Sequence, residues 1–158
     1  MHNVVQQPGL FRAQLTGTYD GAGGDWRKVP NFYRRYSEAS HKPLTIAETS
    51  ALYLPQADPG APDLQIKQGW WSQVFAPDAP ATFPNLRAIL WFEQDKYESN
   101  LDARASCAIT PDPLRTTAFR RALPSWLVWA RQTWPTAPPG GWRSRPLTFA
   151  TPKWWALV

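Results

Sequence analysis

Pro43-Leu44-Thr45-Ile46-Ala47-Glu48 is the segment that most limits what this chain can become. The proline bars a helix behind it, and the four apolar and β-branched residues that follow predict a short buried strand over residues 44–47. A carboxylate, Glu48, stands where the run stops. A glutamate there can simply open a surface loop. At the carboxyl end of a strand in a parallel α/β structure, however, it stands where catalytic groups collect, so Glu48 is a candidate for chemistry.

A second and stronger run, Leu86-Arg87-Ala88-Ile89-Leu90-Trp91-Phe92, also ends in a carboxylate, Glu93, and leads into the charged stretch Gln94-Asp95-Lys96-Tyr97-Glu98, which reads as a loop. Between the two runs, residues 63–75 have helical spacing. Ile66, Trp70, Trp71, Val74 and Phe75 share one stripe, and Asp63 is placed to cap the start. A further helix is expected to end near Leu123, with Leu114, Ala118, Phe119 and Leu123 inward and Thr110 as its cap. Ahead of the first strand, residues 10–15 suit a short helix closed by Gly17, and residues 16–26 a glycine-rich loop. Residues 29–40 suit an amphipathic helix with Phe32, Tyr33 and Tyr36 on one packed face. Helix, strand, helix, strand, helix is the grammar of βαβ units with parallel strands. Two such strands leave sheet edges and a sheet face uncovered, so the segment reads as part of something larger.

Length sets the outer bound. A chain of 158 residues can bury one ordinary core but is shorter than the roughly 200 residues a complete eight-stranded α/β barrel requires. The net charge of +5 looks suited to nucleic acid until it is located. Arg131, Arg143, Arg145 and Lys153 lie beyond Pro124, where there is no acid, so the tail carries +4 of it. Residues 1–123 therefore lack a basic stripe, and no nucleic-acid partner is expected. The tail, residues 124–158, holds six of the ten tryptophans with no period of 2 or 3.6, and is expected to be an irregular, poorly ordered extension or an aromatic sugar- or lipid-binding appendage.

Other chemistries lack their residues. Cys107 is the lone cysteine, which excludes an internal disulfide and a cysteine-based zinc site. His2 and His41 have no metal-ligand spacing, and His41 suits a turn. Gly21, Gly23 and Gly24 follow no strand, Ser50 lacks the glycine frame of a nucleophile elbow, and no cofactor is implied. The first residues show no secretory leader, and no apolar run approaches the roughly 18 residues of a membrane span. What remains is Glu48, with Trp91, Phe92 and Glu93 at the next strand end. A carboxylate beside an aromatic platform suits a sugar, whose C–H face stacks on an indole while the carboxylate attacks or stabilises an oxocarbenium-like centre. Trp91 equally suits plain core, and Glu93 a salt-bridging loop position.

Four blocks carry a resemblance when taken in order. They are Val29-Pro30-Asn31-Phe32-Tyr33, the segment from Lys42 through Glu48 to Tyr53, Ile66-Lys67-Gln68-Gly69-Trp70-Trp71-Ser72-Gln73-Val74-Phe75, and Trp91-Phe92-Glu93-Gln94-Asp95-Lys96-Tyr97-Glu98. Together they resemble the C-terminal part of fungal-type glycoside hydrolase family 26, a family of mainly β-mannanases. The resemblance implies the last two βα units of a TIM (β/α)₈ barrel over residues 1–123, followed by the tail at 124–158. It implies a retaining β-glycanase acting on a β-linked polysaccharide outside the cell, with Glu48 as nucleophile, Trp91 on the floor of the sugar subsite and Tyr53 lining the cleft. The acid/base glutamate of that family has no counterpart here, so the chain alone is expected to be inactive. A non-catalytic carbohydrate-binding protein is the alternative, and oligomeric state is left open.

Overall fold

A computed structural model describes residues 3–17, 30–57, 60–130 and 154–157. The chain is mixed α/β and is not a complete barrel. Four strands, β1 (Leu44–Thr49), β2 (Leu86–Trp91), β5 (Leu127–Ala130) and β6 (Trp154–Leu157), form one sheet in the order β1-β2-β6-β5, and every pairing in it is parallel. Two further strands, β3 (Asp95–Glu98) and β4 (Ala103–Ser106), form an antiparallel hairpin. The βαβ grammar of the first two strands is thus realised: α2 (Asp63–Val74) connects β1 to β2, and the short α3 (Ala79–Thr82) precedes β2.

The stripe on α2 is the heart of the core. Ile66, Trp70, Trp71, Val74 and Phe75 are all buried, as their spacing requires. Phe119 of α4 (Pro113–Ala122) meets Trp71, Phe75 and Trp91 edge-on, with centroids 5.2, 5.5 and 5.2 Å away. Such pairs add about 0.5–1.5 kcal/mol each beyond the area they bury. α1 (Leu10–Thr16) inserts Phe11 against Trp70 at 5.9 Å and ends on Gly17, whose φ of 75° is the left-handed stop that glycine supplies.

Several local expectations are corrected. Residues 94–98 are not a loop, because β3 pairs with β4 across a turn; the two strands are four residues each and largely polar, which hides them from a hydrophobic pattern. The segment after Pro30 is a helical turn passing into a π-helix, Arg34–Glu38, with Ala39 N–H reaching Arg34 O and Lys42 N–H reaching Ser37 O. Tyr33 and Ser37 turn inward. Phe32 and Tyr36 lie outside, 43% and 50% exposed, and pack against each other at 4.8 Å with their rings tilted by 45°. Asp63 is the first residue of α2 rather than its cap, and its carboxylate is taken by Lys67 and Arg115. α4 is capped by Asp112, which accepts from Leu114 N and Arg115 N, and not by Thr110. Leu114, expected inward, sits in the first turn of α4 and is 74% exposed. His41 occupies a turn at φ 52°. Leu127–Ala130 and Trp154–Leu157 of the tail belong to the parallel sheet; residues 131–153 and 158 of the tail and residues 18–26 of the glycine-rich loop lie outside the described residues.

Candidate functional site around Glu48

β1 does not keep the alternation of an ideal strand. Ile46 pairs with Ile89 and Thr49 with Trp91, so three steps along β1 match two along β2. The extra residue is a bulge at Ala47–Glu48. With strict alternation Glu48 would share the core face of Leu44 and Ile46. The bulge turns it to solvent and sends Thr49 inward, giving the order buried Leu44, half-buried Ile46, exposed Ala47 and Glu48, buried Thr49. The arrangement keeps the carboxylate in water and out of the aromatic core, where an unpaired charge would be costly. Thr49 is then fixed from two sides. Its hydroxyl accepts from Trp70 Nε1 at 2.8 Å, and its carbonyl accepts from Phe92 N at 2.9 Å.

Glu48 stands between two concavities. The larger, about 410 Å³, has Phe11 and Leu15 of α1, Phe32, and Trp70 of α2 among its walls. The smaller, about 280 Å³, sets Glu48 and Ser50 opposite Phe92, Lys96 and Glu98. Each places at least one aromatic ring beside the Glu48 carboxylate, an arrangement able to hold the C–H face of a sugar and offer an oxygen nucleophile to it.

The other expected site residues are distributed differently. Trp91 is 6% exposed, its indole Nε1 donates to Cys107 O at 3.3 Å, and its ring is clasped by Trp71 and Phe119. Its neighbour Phe92 is the aromatic that reaches the smaller concavity, with Lys96 Nζ 5.2 Å from its ring centroid. Tyr53 bridges to Ser106 through paired backbone bonds of 3.0 and 2.8 Å. It lines a third concavity, about 270 Å³, with Asp63, Asp95, Arg104 and Arg115, separate from the two that contain Glu48. Glu93, expected to form a salt bridge, instead accepts from Ile109 N, Thr110 N and Thr110 Oγ1 and so shapes the loop leading to α4.

The hairpin wall of the site is anchored by Asp95. Burial works against its ionisation, but the amides of Ala108 and Cys107, at 3.0 and 2.9 Å, the Ser106 hydroxyl and the Lys67 ammonium outweigh it. The carboxyl is held below its ordinary range. Phe92 was singled out from the sequence beside Trp91, whereas Lys96 and Glu98 are site residues that sequence reasoning missed; their signal was the alternation of Lys96, Tyr97 and Glu98, too short and too charged to read as a strand. Among the described residues no group of three or more His, Cys, Asp and Glu is arranged to hold a metal, and no helix is long and apolar enough to cross a membrane. No known family model matches the chain, and no curated protein or solved structure is significantly similar to it.

Proposed function

We propose that residues 1–123 are the C-terminal part, about the last two βα units, of a TIM-barrel retaining glycoside hydrolase of family 26, secreted and acting on a β-linked polysaccharide, with Glu48 as its nucleophile. The observation that carries this reading is the bulge that turns Glu48 out of a parallel strand, near its carboxyl end, into concavities walled by aromatic rings. Catalytic groups of parallel α/β barrels stand at that end of their strands. A retaining mechanism uses a second carboxyl as acid/base about 5–5.5 Å from the first, and this chain contributes the nucleophile half of that pair. Hydrolysis of natural glycosides therefore awaits the rest of the barrel.

The nucleophile can be tested without it. A 2-deoxy-2-fluoro-β-mannoside with a dinitrophenolate leaving group needs no proton donor, so attack by Glu48 would leave a covalent glycosyl ester. Incubation of the chain with this reagent is expected to label the peptide containing Glu48, and Glu48→Gln to abolish the label. An unlabelled wild-type chain, or a label elsewhere, defeats the assignment.

A second reading, binding without hydrolysis, is favoured by Phe32 and Tyr36, two exposed rings in contact beside the larger concavity, which Phe32 lines. It expects saturable binding of oligosaccharide, lost in Phe32→Ala, together with no covalent label.

A further inference from the structure

The hairpin that walls the smaller concavity sorts its side chains by the period of a strand. Asp95 and Tyr97 fall on one face, where Asp95 takes the Cys107 and Ala108 amides and Tyr97 bonds to Asp102. Lys96 and Glu98 fall on the other and line the same concavity as Glu48 and Phe92. Lys96 Nζ lies 3.2 Å from Glu98 Oε1 and 5.2 Å from the Phe92 centroid. Their β4 partners are Ala105 and Ala103, which offer neither charge a competing group across the strand pair. The side chains are 45% and 26% exposed, so a ligand in the concavity can reach both.

A surface lysine ordinarily samples many rotamers, and a surface ion pair contributes little to stability. This lysine is held from two sides, by a carboxylate and by a ring face, next to Glu48. That is costly as a stabilising device and useful as a recognition device. An ammonium has three N–H donors and a carboxylate about four acceptor sites, so the pair keeps unused capacity of both kinds after bonding to each other. The separation of the two charged atoms is close to that of hydroxyl oxygens on neighbouring carbons of a sugar ring.

We propose that Lys96 and Glu98 are specificity-determining residues that read two adjacent hydroxyls of the sugar unit seated at Glu48, Lys96 donating to one oxygen and Glu98 accepting from the other. The proposal rests on the reading of the Glu48 concavities as a sugar site and names which side chains select the ligand there. A sugar lacking either hydroxyl of the pair would leave one charged group without its partner.

Calorimetric titration of the full chain with β-1,4-mannohexaose and with cellohexaose tests it, using wild type, Lys96→Met, Glu98→Gln and Tyr97→Phe. Lys96→Met and Glu98→Gln are each expected to weaken binding about tenfold or more, the loss of a hydrogen bond to a charged group. Tyr97→Phe, altered on the opposite face of the same strand, is expected to bind as wild type does. Thermal melts establish that each variant is folded, and either charged-pair variant suffices if the other is not. Wild-type binding unchanged in both variants overturns the role of the pair and leaves Glu48 as it was. No binding of either hexasaccharide by wild type overturns the sugar-site reading and the pair with it.

Discussion

Trp70 Nε1 donates to the Thr49 hydroxyl across 2.8 Å, and that bond ties α2 to β1 at the residue immediately after Glu48. Both groups are buried, so neither can exchange the other for water. Thr49→Val keeps the shape of the side chain and strands the indole N–H. The expected cost is about 1–3 kcal/mol, the penalty of an unsatisfied buried donor. Urea unfolding should show it as a lower midpoint with an unchanged slope, and Thr49→Ser should recover most of it. An unchanged midpoint in Thr49→Val would mean the bond contributes nothing.

Asp63 is shared by two cations. Lys67, with no exposed surface, bonds to the Asp63 carboxylate and to Ser106 O at 3.0 Å, while Arg115 takes the other Asp63 oxygen. Removing one member of a buried pair leaves an uncompensated charge, which costs about 3–5 kcal/mol. Asp63→Ala is expected to fall in that range in chemical denaturation. Adding Lys67→Met should return part of the loss, because the stranded ammonium is then gone. Strictly additive effects of the two changes would rule out the coupling.

Acid should loosen the hairpin through Asp95. Its folded pKa lies below the ordinary 3.8, so the contribution is complete above that value and is lost as pH falls through the lower folded value. Asp95→Asn is expected to be less stable than wild type at neutral pH and to lose less further stability below about pH 4. Thermal melts from pH 7 to 2 would show the two curves converging, and parallel curves would contradict the assignment.

Gly69 sits in the middle of α2, where alanine should add about 1 kcal/mol by helix propensity alone. A Cβ at that position would collide with Val5 Cγ1 of the N-terminal segment, whose next residue, Gln6, accepts from Gln73 Nε2 at 3.4 Å. Gly69→Ala is therefore expected to destabilise and to raise proteolytic cleavage near residues 3–8. Val5→Ala makes room, so the double variant should melt above Gly69→Ala. A stabilised single variant would show that the segment moves aside freely.

Where burial alone chooses a conformation, these residues could be read ahead of the structure. Five apolar side chains at helical spacing left α2 one way to face, two apolar runs became the paired strands β1 and β2, and Gly17 ended α1. What escaped was decided by partners distant in sequence. The bulge that exposes Glu48 exists in the register between β1 and β2, which neither strand carries by itself. Asp63 looked like a cap because Arg115, fifty-two positions on, is invisible to local spacing. Phe32, Tyr33 and Tyr36 were assigned one face on a 3.6-residue period, and the π-helical turn has a wider one. In the candidate site Glu48 was legible as a carboxylate at a strand end and Phe92 as an aromatic at the next, but Lys96 and Glu98 were not, since they join the concavity only through the pairing of β3 with β4.

Strand order carries one more consequence, for the route of folding. β6 follows β5 in the chain yet lies between β2 and β5 in the sheet. β5 consequently has no neighbour to join until β6 is in place. β1 and β2 can associate early through the α2 connection, whereas β5 joins the sheet only through β6, which itself must reach β2 from the far end of the chain. Loop closure of that kind is a rate cost more than a stability cost. The Glu48 side of the molecule can thus assemble first, with completion of the sheet as the slow phase.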